Sequence, residues 1–220
     1  MILSDVKIRV KRQFGDEAAV QVTDADIVRW VNDAQRDCVM KNETVLQTSS
    51  TTNAVANQQD YTLPANLQIL RTIRYKRTGD LSYYKLEGMS LSEFDEYIDG
   101  WDGTSYGASQ PVVYTVYPTG TLKLFPIPSD NSTNGIKIVY SRQPVDVAND
   151  SDSIDLPLSY HNAVVAYCLA RAYELDEDWS AANNMGAEYD AGIKLNKDRE
   201  NWTNREVYPR ITVLDEDFWV

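Results

Sequence analysis

The sequence predicts an α+β fold: a helical core assembled from the N- and C-terminal segments, interrupted by an antiparallel β region and followed by an extended C-terminal arm. Three observations carry this expectation. Apolar residues recur every three or four positions in residues 2–14 and 23–38 and again in 155–202, which is the helical period. Between them, β-branched and aromatic residues interleave with polar ones, as in half-buried strands. The last residues, TNREVYPRITVLDEDFWV, are β-prone and rich in large apolar side chains. The implied boundaries are 1–45 with 156–202 for one discontinuous helical core, 46–155 for a β-rich insertion with a short helix, and 203–220 for the arm.

A chain of 220 residues with 43% hydrophobic content can bury a real core. The net charge of −12 argues against general affinity for nucleic acid, which rests on cations displacing counterions from phosphates. No apolar run approaches the roughly 20 residues of a membrane span, and the N-terminus lacks the apolar core of a signal peptide. Synthesis in the cytosol is expected. The two cysteines, Cys38 and Cys168, stand on apolar helix faces outside any metal-ligand spacing and read as buried thiols.

In chain order, Leu3, Val6, Val10 and Phe14 form one apolar stripe, with Lys7, Arg9, Lys11 and Arg12 mainly on the other side. This basic face either meets an acidic partner or a DNA backbone, or is simply solvated, the commoner fate of a charged face. Gly15-Asp16 breaks the helix. Thr23 starts a second one, with Asp24 and Asp26 favouring the positive end of its dipole and Ile27, Trp30, Val31, Ala34 and Cys38 on its buried side.

The polar run TSSTTNAVANQQD reads as a loop or a loose edge hairpin. LQILRTIRYKR reads as a strand, with Tyr83, Tyr84 and Leu86 pairing to it after the Gly79-Asp80 turn. Ser90 with Glu93 is a capping box opening a short helix through Phe94 and Tyr97. WDGTSYGASQP follows as a loop without the lysine of a phosphate-cradling loop; Trp101 and Tyr106 in it are candidates for an exposed contact. VVYTVYP, TLKLFP and IKIVYSRQP read as an antiparallel meander, one face covering the helices, with Asn134-Gly135 setting off the last strand and Pro126 and Pro128 ending the second. The four aspartates of DVANDSDSID lack the glycine and distal glutamate of a calcium loop and read as a turn.

The helix from Asp155 to Tyr173 has apolar residues on every side and is expected to be buried nearly all round, its start signalled by Pro157 and Ser159. The next, from about Trp179 to Trp202, places Trp179, Ala182, Met185, Tyr189 and Ile193 on one face and should fold back on it as an antiparallel hairpin. His161 has no nucleophile motif beside it, and no cofactor fingerprint or metal-ligand set is present. Nothing in the residues calls for an enzyme.

The strand ending P-x-P (TLKLFPIP), the Y-x-R-x-P strand (YSRQP) and the LP-led, tyrosine-rich helix (LPLSYHNAVVAYCLARAYE), in this order after two N-terminal helices, resemble the head-to-tail adaptor (connector) proteins of tailed bacteriophages. The likeness extends over most of residues 1–202 and lies in the branch with a β insertion in a helical core. It implies a virion structural protein of the neck: a homo-oligomeric ring, commonly of about twelve subunits, beneath the portal protein, which extends the DNA channel and offers a platform to the next tail protein. DNA would pass without sequence-specific binding, no membrane is involved, and no cofactor is implied. The acidic composition is compatible with a conduit, since like charge repels phosphate within about a Debye length of 8 Å.

Tyr208, Ile211, Val213, Leu214, Phe218 and Trp219 make the terminal segment a candidate docking arm for the portal or an adjacent subunit, or a segment that folds back on its own domain. Two other classes compete. One is a carbohydrate- or cell-surface-binding tail module presenting Trp101 and Tyr106. The other is a peptidoglycan-cleaving virion protein, for which Glu87, Glu93 and Asp95 would be arbitrary choices of carboxylate.

Overall fold

A computed structural model describes residues 1–98, 107–117 and 119–204. In chain order the elements are α1 (Leu3–Phe14), α2 (Asp24–Lys41), β1 (Gln47–Ala54), β2 (Asp60–Thr62), β3 (Leu67–Tyr75), β4 (Tyr84–Lys85), β5 (Glu87–Gly88), α3 (Leu91–Tyr97), β6 (Val113–Val116), β7 (Thr121–Phe125), β8 (Ser132–Arg142), a 3₁₀ turn (Leu158–Tyr160), α4 (His161–Leu175) and α5 (Trp179–Asn204). This is the mixed α+β architecture that the two hydrophobic periods predict. Two compact units divide it: Met1–Ala34 with the chain from Val147 onward, and Gln35–Asp146, so that the division falls inside α2.

In the helical unit, α1 buries Leu3, Val6 and Val10, one residue per turn. It stops at Gly15, whose φ of 89° lets its N–H reach back to the Lys11 carbonyl (2.9 Å), a conformation that costs any other residue a clash with its own Cβ. Thr23 caps α2 as its sequence signals. Its hydroxyl accepts from Asp26 N–H (3.2 Å) and Asp26 accepts in return from the Thr23 N–H (3.3 Å). The segment after Val147 runs back along the N-terminus, with Leu3 N–H donating to the Asp152 carbonyl (2.9 Å) and Ile154 N–H to that of Met1 (3.2 Å). Asn32 holds it from the α2 side, its amide exchanging two hydrogen bonds with the Val147 backbone (3.0 and 2.9 Å).

α4 is the helix with apolar residues all round, and it is buried as that pattern requires: Ala163, Val164, Val165, Ala166, Cys168, Leu169, Ala170 and Ala172. α1 and α5 both pack on it. α5 runs antiparallel to α4, since Gly192 meets Ala163 and Tyr189 meets Tyr167. A Cβ at Gly192 would lie 3.3 Å from that of Ala163, so glycine is what lets the backbones come this close. Two details depart from the sequence reading. Ser159 caps nothing: α4 is entered through the 3₁₀ turn, and the Ser159 carbonyl instead accepts from Asn196 of α5 (2.9 Å). Trp179 opens α5 but stands 62% exposed, because the buried face begins only at Ala182.

In the β-rich unit two four-stranded sheets have the orders β1-β8-β3-β4 and β2-β7-β6-β5. They share one core, to which Ala54, Ile73, Tyr75, Ile136, Ile138 and Tyr140 come from the first sheet and Tyr61, Leu122 and Leu124 from the second. The expected meander is therefore wrong. β6 and β7 pair as neighbours, but β8 leaves them and inserts between β1 and β3. Alternation specifies which face of a strand is apolar and not which strand lies beside it. For the same reason Leu122, Leu124, Ile136 and Ile138 face the opposing sheet rather than covering the helices. The polar run beginning at Gln47 is a full strand, and Asn134-Gly135 lies inside β8. The strand over LQILRTIRYKR, the pairing of Tyr84 with it and the Ser90/Glu93 capping box are as predicted.

Candidate functional site

The basic face of α1 divides into two parts. Lys7 and Lys11, one turn apart, point to α2 and to the segment after Val147. Lys7 Nζ lies 2.6 Å from Asp150 Oδ1 and 3.4 Å from Asp24 Oδ2, and Lys11 pairs with the other oxygen of Asp24. Their side chains are only 13% and 18% exposed. The hydrogen bond to Asp150 raises the Lys7 pKa, and the bond from Lys11 holds the Asp24 carboxyl below the carboxylate range. These two cations tie the unit together. Arg9 donates to Asn162 Oδ1 of α4 (3.3 Å), while Arg12 is 74% exposed with its nearest carboxylate, Glu17, 3.9 Å away. Such a pair contributes little. Arg9 and Arg12, beside the exposed Ile8, are the part of this face open to solvent.

Between α1, α4 and α5 runs a groove of about 310 Å³. Val165, Leu169 and Tyr173 form its floor, and Arg9, Met185 and Glu188 its rim. It continues past Asn162 and Glu188 toward Leu158 and Leu195, which are 77% and 54% exposed. Sequence reasoning missed this feature. A helix apolar on all sides does not show which stripe its neighbours leave uncovered.

The aspartate run is a turn. The Asp152 carboxylate accepts the N–H groups of Ala148 (2.8 Å) and Asn149 (2.7 Å), which hold its pKa low, and Asp150 belongs to Lys7. Among the described residues no group of three or more His, Cys, Asp or Glu is placed to hold a metal. Nor is any described helix long and apolar enough to cross a membrane. Cys38 and Cys168 are both buried free thiols. Glu93 is engaged in its capping box, and the Ser90 N–H lowers its pKa, the opposite of what a general acid needs. Trp101, Tyr106 and the six residues of the terminal arm, Tyr208, Ile211, Val213, Leu214, Phe218 and Trp219, lie outside the described residues.

His161 is a structural group. Its ring is buried, with Nε2 donating to the Leu156 carbonyl (2.9 Å) and Nδ1 accepting from the Met1 amine (3.1 Å), an arrangement that requires the neutral ring. Burial, assisted by the nearby ammonium, lowers its pKa below 6.5. Below pH 6.5 the unfolded chain takes up a proton that the native ring refuses, so the contribution is whole above that pH and is lost as pH falls toward the folded pKa. The thermal midpoint should begin to fall as the pH drops below 6.5. Asp16, Asp24 and Asp152, whose unfolded reference is 3.8, act only further into acid. A His161→Gln chain should lack the first limb and keep the second; an unchanged profile would show that another group titrates there.

A comparison with curated proteins gives no match. A family model described as SU10 adaptor protein matches residues 1–210, nearly the whole chain and both of its units. The chain therefore belongs to the SU10 adaptor protein family, in agreement with its resemblance to the head-to-tail adaptors of tailed bacteriophages.

Proposed function

We propose that copies of this chain close into a ring beneath the portal of a tailed phage, extend the DNA channel and present the platform to which the tail attaches. The observation that carries this reading is the adaptor family match over residues 1–210. The mechanism is mechanical: docking on the portal, ring closure by one face of each subunit against a different face of the next, and passage of DNA. Its place is the virion neck, and its partners are the portal, the next tail protein and its own copies, about twelve in a ring of the usual kind. An acidic chain suits a conduit that must release DNA, because at −12 it offers phosphate no net attraction. The terminal arm, with Tyr208, Ile211, Val213, Leu214, Phe218 and Trp219, is the docking element; Trp101 and Tyr106 serve a subunit or tail contact. Of the basic face, Arg9 and Arg12 are the cations left for an acidic partner.

Electron microscopy of portal rings from the same genome, mixed with the purified chain, tests the reading. A symmetric collar beneath the portal is the expected result and gives the subunit number directly. Bare portals beside a folded chain would refute it.

A further inference from the structure

The β-rich unit presents a long strand whose outer edge pairs with no other strand among the described residues. β1 is an outer strand of its sheet and is eight residues long, whereas the other outer strands among the described residues, β4, β2 and β5, have two or three. Exposed edges are ordinarily shielded by shortness, by lysine or by proline, because a row of unpaired N–H and C=O groups recruits any extended chain. QTSSTTNA has neither a charge nor a proline, and its register with β8 is unbroken from Gln47 to Thr52.

The direction of its backbone groups follows from one hydrogen bond. Arg142 N–H donates to the Leu46 carbonyl (3.2 Å), in register with the ladder Gln47↔Ser141, Thr48↔Tyr140. Since antiparallel pairs alternate, Thr48, Ser50 and Thr52 turn their backbone toward β8 and Gln47, Ser49 and Thr51 turn theirs away. The Lys76 N–H bond to the Gly135 carbonyl (2.8 Å) fixes the other side of β8 consistently, with Lys137 and Val139 facing β3. Gln47 N–H is taken by the Thr44 carbonyl (3.2 Å). Ser49 and Thr51 thus present both backbone groups outward, with no backbone partner among the described residues, and their side chains are exposed. This is the acceptor half of a strand-addition site.

We infer that the edge receives Arg210–Leu214 from the terminal segment of a second copy of the chain, an inference that rests on the ring reading above. α5 ends at Asn204, and 16 residues follow it, enough to span roughly 50 Å when extended. In that segment RITVL has the β-branched composition of a strand, with Ile211 and Val213 on one face, and it begins just after Pro209, which has no N–H to contribute. A strand given by one copy to the edge of the next is a heterologous contact that repeats in one sense until the ring closes. Pairing β1 with β1 would instead be isologous and stop at a dimer.

The test uses the full chain, free and in the portal-bound collar, with hydrogen exchange as the readout. The amides of Ser49 and Thr51, and one alternate pair among Ile211–Leu214, should exchange about 100-fold more slowly in the collar than in the free chain. A Thr51→Pro chain removes one outward N–H and leaves the β1–β8 ladder intact, so the free variant should keep the wild-type melting midpoint and β8 protection yet form collars at least about tenfold less readily. A complete wild-type collar with Ser49 and Thr51 still fast, or a Thr51→Pro chain that assembles normally, overturns the inference and leaves the ring reading standing. Slow exchange at Ser49 and Thr51 already in the free chain assigns the edge to the chain's own segment and overturns it too. Slow β1 amides with every amide of Ile211–Leu214 still fast name a different occupant and do the same. If the folded wild-type chain forms no collar, the ring reading fails and this inference falls with it.

Discussion

Replacing Tyr189 by Ala should lower the stability of the helical unit by about 3–5 kcal/mol, the range for deleting a large buried aromatic. Tyr189 is 3% exposed on α5, and its ring meets that of Tyr167 edge-on at 5.1 Å and 64°. Tyr167 is in turn held by Arg171, whose guanidinium lies 5.1 Å from the ring centroid and donates to the phenol oxygen (3.2 Å), and Arg171 pairs with Glu174 at 2.7 Å. Truncation therefore empties one of the contacts between α5 and α4 and removes the neighbour of a second ring. Tyr189→Phe keeps the packing and should retain most of the stability. Hydrogen exchange along α4, from Val164 to Leu169, reads the effect; protection there as high in Tyr189→Ala as in wild type would mean that the hairpin is held by other contacts.

Leu124→Ala should cost the β-rich unit about 2–5 kcal/mol. Leu124 is fully buried in β7, in the core that both sheets share. The loss should appear at amides of Ile73 and Ile138, in the other sheet, as strongly as within β7 itself. A change confined to β6 and β7 would show that the sheets open independently and that their apolar faces do not act as one core. Denaturant curves need reading unit by unit, since a chain with two compact units need not unfold in one step.

What was legible in advance follows from periodicity and local chemistry. The presence of α1, α2, α4 and α5, the caps at Thr23 and Ser90 and the strands over LQILRTIRYKR and TLKLFP are written in short-range patterns: apolar spacing, a hydroxyl before a carboxylate, a proline that ends a strand. β1 was not legible as a strand, because Gln, Ser, Thr and Asn have no apolar alternation to display. Its order comes from the backbone ladder that β8 supplies. Nor could the basic stripe announce its division, since Lys7 and Lys11 differ from Arg9 and Arg12 only in what stands opposite them.

Local residue patterns fix which segments are helix, which of the apolar-patterned segments are strand, and that one helix near the C-terminus must be surrounded. These properties depend on residues within a few positions of one another. It takes the folded unit to place β8 between β1 and β3, to set His161 between the Leu156 carbonyl and the Met1 amine, and to leave β1 as an outer strand among the described residues. Backbone hydrogen bonds and ion pairs carry no residue-specific code between positions as distant in sequence as β1 and β8. Their partners are chosen by the packing of the whole unit.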